Sequence, residues 1–271
     1  MNPRLSIIIV NFNGGEHLQR CLASLDAHPA RTSTEVIVVD NASTDGSEAH
    51  VMQFPSVRLV KLPANVGFSA GNNAGIRAAS GELLLLLNND TLVGPGALDA
   101  LIATLDAHSE AGVAGPRLVD GDGRTELSFG PMISPLGELR QKTVLALHNR
   151  GFGPVTRWVE RTTRREQFVD WVSGACLLVR RAAAEQAGLL DERFFLYTED
   201  VDFCASVRAR GWKVLFTPAA EIVHLRGRSR ATAVQQSNAA YRRSHLAFYQ
   251  KHHPRMVPLL RAYLRLRGER P

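Results

Sequence analysis

The chain has 271 residues, of which 45% are hydrophobic and 21% are charged. These values are ordinary for a globular protein with a sizeable core, arranged as one large domain or two small ones. No apolar stretch approaches the ~20 residues of a membrane span, which excludes a membrane-spanning helix. Because a strand-like run follows Met1–Arg4 directly, we expect no signal peptide and a cytosolic chain.

Charge and cysteine usage narrow the class further. The formal net charge is +6, but residues 225–271 hold eleven Lys or Arg and one acid, which leaves a net charge of −4 for residues 1–224. The basic character therefore belongs to a C-terminal tail. Cys21, Cys176 and Cys204 are far apart and stand beside apolar residues. We expect reduced core cysteines rather than a disulfide framework or a metal site.

Strand and helix signals alternate over the first ~110 residues. The predicted strands are residues 5–10, 36–39, 57–62 and 83–87, and the predicted helices are residues 16–28, 48–53, 74–79 and 97–108. Residues 65–73 contain two glycines and are predicted to form the loop before the third helix. This alternation indicates βαβ units around a parallel sheet.

Beyond residue 110 the pattern is less regular. Residues 112–119 are predicted to form a strand, and Asp120–Gly123 a hairpin turn. Residues 129–167 have little periodicity and many Pro, Gly and Arg residues, so we interpret them as a long, partly mobile excursion.

Order returns near residue 169. Thr198 is predicted to cap a helix at 199–210, with Val201, Cys204 and Val207 facing the core. Two short strands are predicted at 213–216 and 221–223, and residues 236–267 have a helical pattern. One apolar face is predicted for that tail, formed by Met256, Leu259, Leu260, Tyr263 and Leu264.

The most informative stretch is the run of five leucines at 83–87, which fits a strand buried on both faces, as in the middle of a parallel sheet. It ends abruptly at Asn88, Asn89 and Asp90, and two other predicted strands end in the same way, at Asn11 and Asp40. Open α/β sheets bind ligands at the carboxyl ends of their strands, and a carboxylate oxygen suits a hard divalent cation. The strand ends therefore predict a site for a nucleotide diphosphate with a metal ion.

Six segments, in this order, match one known family. They are SIIIVNFNG (6–14), VDNASTDGS (39–47), NVGFSAGNNAG (65–75), LNND (87–90), ED (199–200) and the pattern H-x-x-G-x-S (224–229). Through them the chain resembles the family 2 glycosyltransferases, and within these the branch similar to bacterial rhamnosyltransferases. The resemblance covers roughly residues 5–230 and is far more specific for the family than for the sugar.

The resemblance implies an α/β, A-type glycosyltransferase fold with a mostly parallel central sheet. Residues 1–118 would be the nucleotide-sugar-binding half, residues 119–235 the half that binds the acceptor and carries the base, and residues 236–271 a basic helical tail. The implied reaction is inverting transfer of a sugar from a nucleotide-diphosphate donor to a saccharide or polyprenyl-linked acceptor, in cell-surface polysaccharide synthesis. The branch favours dTDP-L-rhamnose as donor, with UDP-sugars as the alternative. Residues 129–167 would then carry acceptor specificity.

The resemblance also implies roles for individual residues. Asp200 matches the catalytic base, Asp90 the last acid of the Asp-x-Asp motif that holds Mg²⁺ or Mn²⁺, and His224 the histidine that completes the metal site. Asp40 matches the acid that contacts the nucleotide. The further candidate ligands of the nucleotide sugar are Asn11, Asn41, Asn72, Asn88 and Asn89. Asn88 departs from the motif, because an amide brings no charge, so the metal would rest on Asp90, the diphosphate, water and His224.

Other interpretations stay open at this point. Asp200 could be only a helix N-terminal acid, Asp90 a helix cap, and His224 a structural residue. The tail could be a solvated face or could dock on the inner face of the cell membrane. The chain could also be a silent sugar-nucleotide-binding module. Binding of nucleic acid through the tail would need aromatic platforms among the basic residues and is not expected. A dinucleotide-binding dehydrogenase is disfavoured because no Gly-x-Gly-x-x-Gly follows the first strand.

Overall fold

The computed structural model describes residues 2–225 and 234–266. Most of the last family segment, including Gly227 and Ser229, and the end of the tail lie outside the described residues. The strands are β1 (Leu5–Asn11), β2 (Thr34–Asp40), β3 (Val57–Lys61), β4 (Leu83–Asn88), β5 (Thr91–Val93), β6 (Ala111–Val119), β7 (Phe129–Gly130), β8 (Gln167–Val169), β9 (Trp171–Val172), β10 (Cys176–Arg180) and β11 (Lys213–His224). The helices are α1 (Gly15–Ala27), α2 (Glu48–Val51), α3 (Phe68–Ala78), α4 (Ala97–Ala107), α5 (Pro135–Asn149), α6 (Gly153–Thr162), α7 (Arg181–Ala187), α8 (Glu199–Ala209), α9 (Val234–His252) and α10 (Val257–Leu266).

A single large sheet organises the described residues, with strand order β3-β2-β1-β4-β10-β6-β11-β5 and with β8 paired to β11. Neighbouring strands from β3 to β4 are parallel. Strand β10 is antiparallel to both β4 and β6, so β6 and its parallel partner β11 again run in the direction of β1. The predicted α/β fold with a mostly parallel sheet is confirmed.

The leucine strand β4 lies at the centre of this sheet, and its five leucines are buried. Alternate side chains point to opposite faces of a strand. Leu85 and Leu87 therefore pack with α1 and α4, whereas Leu84 and Leu86 pack in the cluster that contains residues of α3, α7 and α8. The prediction of a strand buried on both faces is confirmed, but only the β1 neighbour is parallel, because β10 enters the sheet in the opposite direction.

The cysteines and the predicted turn at Asp120–Gly123 agree with the sequence analysis. All three cysteines are free and buried, and burial raises the pKa of each thiol. The turn after β6 closes through a bond from the Gly123 N–H to the Asp120 carbonyl oxygen, 2.9 Å. The three thiols are therefore part of the core, as predicted.

Helix α3 begins earlier than predicted. It starts at Phe68 and includes Gly71, which the sequence analysis placed in the loop before it, as well as Gly75, which was predicted to be helical. A Cβ atom on Gly71 would lie 2.9 Å from a methyl group of Val10, and one on Gly75 would collide with Ile8. These glycines therefore allow the helix to pack closely on β1, and packing outweighs their low helix propensity.

The interpretation of residues 129–167 as an irregular excursion is wrong. The segment contains two helices, α5 and α6, and each has Pro in its first turn. Ser134 caps α5 by accepting a hydrogen bond from the Gly137 N–H at 3.2 Å. The Ser-Pro pair was a readable start signal, since Pro is favoured at the first helical position after a Ser cap.

Two further local predictions differ from the structure. The short strands at 213–216 and 221–223 are parts of one strand, β11, whose register shifts between Thr217 and Glu221. Thr198 precedes α8 but its side chain makes no capping bond, because its backbone is left-handed, with φ of 69°. The core face of α8 is as predicted, since Val201, Cys204 and Val207 are buried.

The tail folds onto the body of the protein. Phe248, Tyr249, Leu260 and Leu264 are buried against Phe194 and Val201 of the second half of the chain. The predicted continuous apolar face is only partly correct, because Leu259 and Tyr263 are 64% and 51% exposed. Within residues 2–225 and 234–266, no helix is long and apolar enough to cross a membrane.

Candidate active site

The polar strand ends do meet at one edge of the sheet. Asn11 is the register partner of Asp40, and Val10 is the register partner of Asn88. Strand β1 lies between β2 and β4, so the chain crosses from one side of β1 to the other at this point. Such a switch in strand order opens a crevice at the carboxyl edge of a parallel sheet. The predicted residues Asn11, Asp40 and Asn88 therefore lie together at the edge where sheets of this kind bind ligands.

Asn11 is the hydrogen-bonding hub of this edge. Its Nδ2 donates to Asp40 Oδ1 (3.2 Å), to Ser43 Oγ (3.1 Å) and to Ser47 Oγ (2.8 Å), and its Oδ1 accepts a bond from Asn89 Nδ2 (2.9 Å). Asn11 is fully buried. Its amide therefore holds the ends of β1, β2 and β4 together from below.

A glycine makes this hub possible. A Cβ atom on Gly14 would collide with Asn11 Oδ1 and with Asn89 Nδ2. Beside it, the Gly15 N–H donates to Asp45 Oδ2 at 2.9 Å, and Thr44 N–H donates to Asn13 Oδ1 at 2.8 Å. The loops after β1 and β2 are therefore hydrogen-bonded to each other.

Two other predicted nucleotide ligands, Asp40 and Asn41, have buried side chains that hydrogen-bond to neighbouring loops. Asp40 is nearly buried and accepts bonds from Asn11 and from the Ser43 N–H. Asn41 holds the 65–67 loop, because it accepts from the Val66 N–H (2.9 Å) and donates to the Gly67 carbonyl oxygen (3.1 Å). Both side chains thus shape the crevice in addition to any contact they make with a ligand.

Asn72 and Asn88 leave hydrogen-bonding capacity at the site. Asn72 donates to the Phe68 carbonyl oxygen at 2.9 Å, one turn earlier in α3, so it does not cap the helix. Its Oδ1 is buried and has no hydrogen-bond partner among residues 2–225 and 234–266. Asn88 is half-buried at the end of β4, and its N–H donates to the Ala175 carbonyl oxygen at 2.9 Å. These amides are suited to a polar ligand.

Asp90 and His224 face each other where β4 ends. His224 Nε2 lies 3.4 Å from Asp90 Oδ1, and His224 Nδ1 lies 3.4 Å from Glu126 Oε2. Burial disfavours the imidazolium, but the two carboxylates outweigh it and raise the pKa of His224 to about 9. Asp90 caps no helix, since the N-cap of α4 is Gly96. This part of the site is therefore acidic, with one imidazolium between two carboxylates.

Asp90 and His224 fit a divalent cation as a two-residue site. Mg²⁺ commonly binds through one or two carboxylates plus phosphates. His224 can donate a nitrogen to Mn²⁺ only after the imidazolium has released its proton, so binding of the cation there would displace a proton. Within the described part of the chain, no group of three or more His, Cys, Asp or Glu side chains has the geometry of a metal site. The remaining ligands of a cation would come from the diphosphate and water.

Asp200 is the second residue of α8, and the backbone holds both of its carboxylate oxygens. Oδ2 accepts from the Gly174 N–H at 2.9 Å, and Oδ1 accepts from the Val201 N–H at 2.8 Å. Burial raises the pKa of Asp200 above its ordinary value, and these backbone bonds act in the opposite direction. Each oxygen retains a lone pair. The carboxylate is thus oriented and still able to take a proton.

One short loop, residues 173–175, connects Asp200 to the end of the leucine strand. The Ala175 carbonyl oxygen accepts from the Asn88 N–H, and Gly174 donates to Asp200. Gly174 is also close-packed: a Cβ atom there would lie 3.2 Å from the Asp200 Cβ. The structure therefore brings the strand end and Asp200 to opposite sides of one loop.

The two residues before α8 have strained backbone conformations, and the first residue of α8 has an unpaired carboxyl oxygen within the described part of the chain. Tyr197 and Thr198 have positive φ angles of 70° and 69°, which β-branched and aromatic residues rarely adopt. Glu199 is buried, its Oε2 has no hydrogen-bond partner within residues 2–225 and 234–266, and burial raises its pKa well above the ordinary value. Strain and an unpaired polar group of this kind cluster at functional sites.

Two residues of the site were not predicted. Glu126 contacts His224, and Gly174 orients Asp200. Glu126 is isolated in sequence, and nothing in its neighbours indicates that its side chain contacts His224 at the end of β11. Gly174 stands in a stretch that reads simply as the approach to a strand. Both roles depend on long-range packing.

The fold and the strand-end crevice define the class of A-type, nucleotide-sugar-dependent glycosyltransferases. The sequence profile of the family described as "Glycosyltransferase like family 2" matches residues 3–243. An N-acetylglucosaminyl-diphospho-decaprenol L-rhamnosyltransferase of Mycobacterium tuberculosis is 34% identical, over 93% of this chain and 86% of its own length. The chain belongs to glycosyltransferase family 2.

Solved structures agree with the fold. A mannosyltransferase from Pyrobaculum calidifontis in complex with GDP-Man and Mn²⁺ superposes with a TM-score of 0.63, at 20% identity, over 97% of this chain and 69% of that one. GalNAc-T7 with UDP, GalNAc and Mn²⁺ gives a TM-score of 0.62 at 16% identity and covers 83% of this chain. This chain spans 44% of the length of GalNAc-T7.

Proposed function

We propose that this protein is an inverting, metal-dependent glycosyltransferase that moves L-rhamnose from dTDP-L-rhamnose to a lipid-linked saccharide. The observation that carries the mechanism is the 173–175 loop, which bonds the end of β4 on one side and Asp200 on the other. A donor bound at the strand edge and an acceptor hydroxyl at Asp200 would meet across this loop. This supports transfer rather than binding alone.

Asp200 acts as the general base. Inversion requires the acceptor hydroxyl to attack the sugar from the face opposite the diphosphate. The base must therefore already be oriented toward that hydroxyl when the substrates bind. Backbone N–H groups fix both Asp200 oxygens, so its carboxylate is preorganised to accept the hydroxyl proton. A positioned base contributes about 10²- to 10⁴-fold to the rate, and alignment of the two substrates supplies much of the remainder.

Asp90 and His224 would hold the divalent cation, which as a Lewis acid would stabilise negative charge on the departing diphosphate. Asn88 adds no charge, so the cation site depends on Asp90 more than an Asp-x-Asp pair would. Asp40 and Asn72 are placed to contact the nucleotide sugar, and the unpaired Oδ1 of Asn72 supplies a buried acceptor. Asn11 and Asn41 act mainly by holding the loops around the crevice.

The donor and acceptor assignments rest on the mycobacterial relative, whose name specifies an L-rhamnosyl transfer to a diphospho-decaprenol substrate. Sequence identity of 34% over nearly the whole chain supports a related sugar and a related lipid-linked acceptor. A UDP-sugar remains the competing donor, because the residues at the strand edge are not specific for one base.

A lipid-linked acceptor brings the tail to a membrane surface. Leu259 and Tyr263 are exposed on α10, and Arg255, Arg261 and Arg265 are exposed around them. Apolar side chains ringed by arginines suit the interface of an anionic membrane. We therefore place the protein at the inner face of the membrane through this tail. Co-sedimentation with vesicles that contain phosphatidylglycerol, compared with phosphatidylcholine alone, tests this placement.

The decisive test is Asp200→Asn. Transfer should fall by at least 10²-fold, whereas stabilisation by dTDP and Mn²⁺ in a thermal-shift assay should persist. In this variant one of the two backbone N–H groups that bond Asp200 would face the amide NH₂ group, which cannot accept a hydrogen bond. The melting temperatures of the variant and the wild type without ligand must therefore be compared as well. Asp26→Asn, an exposed acid on α1, is the matched control. Turnover retained in Asp200→Asn would refute the role of Asp200 as the base. Selective thermal stabilisation of the protein by UDP would indicate a UDP-sugar donor and would leave the proposed glycosyl transfer unchanged.

A further inference from the structure

A large cavity lies between the end of β6, with the turn and the segment that follow it, and the helices α5 and α6. Its volume is about 780 Å³, within the range typical of ligand sites. The walls come from residues 117–127 on one side and from residues 145–164 on the other. The cavity is thus built largely from the segment that sequence analysis associated with the acceptor.

Three arginines in this cavity have no acidic partner. Arg124, Arg150 and Arg164 line it, are exposed, and form no ion pair with any residue in 2–225 or 234–266. The fourth arginine of the wall, Arg117, is instead paired with Glu221. Three guanidinium groups around one cavity are the donors that bind phosphate oxygens in a bidentate manner.

The carboxylates of the wall do not cancel this charge. Asp120 Oδ1 accepts from the N–H groups of Asp122 and Arg124, which fix the turn below the cavity. Glu126 is engaged with His224. Among the described lining residues, Asp120, which keeps its charge, and Glu160 on α6 oppose the three arginines. The free positive charge therefore exceeds the free negative charge.

The cavity is joined to the reacting centre by a continuous stretch of chain. Glu126 lines the cavity and contacts His224, opposite Asp90. Two residues later, the Ser128 carbonyl oxygen accepts from the Ser173 N–H at 2.8 Å, beside the glycine that donates to Asp200. An anion in the cavity therefore lies next to the acceptor side of the site, and Glu126 separates it from Asp90.

We propose that Arg124, Arg150 and Arg164 bind the diphosphate of a polyprenyl-diphosphate-linked acceptor, and that this cavity is the acceptor's diphosphate subsite. The inference rests on the proposed function and specifies its acceptor class. A diphosphate diester carries two negative charges, and the three guanidinium groups, which outnumber the two acids Asp120 and Glu160, leave the cavity positive enough to attract it. The donor's diphosphate belongs at the strand edge near Asp90, on the other side of Glu126.

A second cleft favours a lipid-linked diphosphate over a free one. It has a volume of about 350 Å³ and shares Leu127 with the arginine-lined cavity. Phe129, Val144 and Trp158 make its lining predominantly apolar. The two cavities thus present arginines and an apolar surface on either side of Leu127, as a diphosphate attached to an isoprenoid chain requires.

The test is a direct binding measurement with farnesyl diphosphate, made in the presence of saturating nucleoside diphosphate so that the donor site is filled. Each single variant, Arg124→Ala, Arg150→Ala or Arg164→Ala, should weaken binding about tenfold, and the triple variant should abolish it. Arg20→Ala, an exposed arginine of α1 outside the cavity, is the matched control. Farnesol and inorganic pyrophosphate should each bind more weakly than farnesyl diphosphate.

Four results would overturn the inference. They are no binding to the wild type, equal binding to the triple variant, equal loss in Arg20→Ala, or pyrophosphate binding as tightly as farnesyl diphosphate. Displacement of the probe by phosphatidylglycerol vesicles would also count against it, because it would assign the arginines to the membrane surface. The proposed function fails separately: in that case Asp200→Asn would retain turnover while the arginine variants still lost the probe.

Discussion

Gly174→Ala offers a graded test of how Asp200 is positioned. The added Cβ would lie 3.2 Å from the Asp200 Cβ and 3.7 Å from Oδ2, so the aspartate must yield by a few tenths of an ångström. Gly174 does not have a positive φ, so the backbone itself tolerates alanine. The substitution therefore disturbs the base and its 2.9 Å bond from the Gly174 N–H, with little other change.

The kcat of Gly174→Ala is expected to lie between that of the wild type and that of a variant without the base. Weakening one hydrogen bond to a charged group is worth about 1.5–3 kcal/mol, which corresponds to roughly a 10- to 100-fold decrease in kcat. Because that bond lowers the pKa of Asp200, its loss should raise the pKa further. The base acts only when it is ionised, so the acid limb of the kcat profile should move to higher pH.

The measurement is kcat and both KM values across pH, with product detected by chromatography. Gly153→Ala is the matched control, since its Cβ would meet only Arg157 Nη1 at an ordinary 3.5 Å. The donor KM should be unchanged in both variants. A kcat within twofold of wild type and an unshifted pH profile for Gly174→Ala would refute the argument, as would a rise in donor KM equal to the fall in kcat.

Two other predictions concern the metal pair and the unpaired carboxyl. His224→Ala should raise the half-saturating concentration of Mn²⁺ by about 10- to 100-fold, and an unchanged metal titration, as expected for His108→Ala, would remove His224 from the site. Glu199→Gln should be more stable than wild type at pH 8, with a melting temperature about 2–4 °C higher. The folded pKa of Glu199 is raised, so its stabilising contribution is complete below the unfolded value near pH 4.5 and is lost as pH rises toward the folded value. The two proteins should therefore melt alike at pH 4, and a constant difference at all pH values would contradict this account.

The sequence was most informative where local pattern and burial coincide. The five leucines of β4 and the polar residues that follow them located the carboxyl edge, because a strand buried on both faces must be apolar throughout. The order of motifs led to the proposed roles of Asp90 and Asp200. The start of α3 was predicted too late, because close packing of Gly71 on β1 outweighs the low helix propensity of glycine. The α5–α6 pair was missed although each helix has Pro in its first turn.

The contacts that organise the site were beyond reach of the sequence. Glu126 and His224 are 98 residues apart, and their pairing follows from the packing of the chain after β6 against β11. The long β11 was split in prediction because Pro218 and the register shift interrupt its apolar pattern. Such pairings depend on the complete sheet order, which reverses direction at β10.

Polar residues at strand ends need not be ligands, and the three ends here show why burial must be considered with position. Asn11 is fully buried, and its amide hydrogen-bonds to four neighbouring side chains. Replacing it would therefore destabilise the carboxyl edge of the sheet rather than remove one ligand contact. Asp40 is nearly buried, and Asn88 keeps a partly exposed side chain. A regular pattern of strand ends therefore locates the crevice, whereas the hydrogen-bond network decides which of its side chains a ligand can reach. Among these three strand ends, Asn88 on β4 is the most exposed, and it lies next to the loop that holds Asp200.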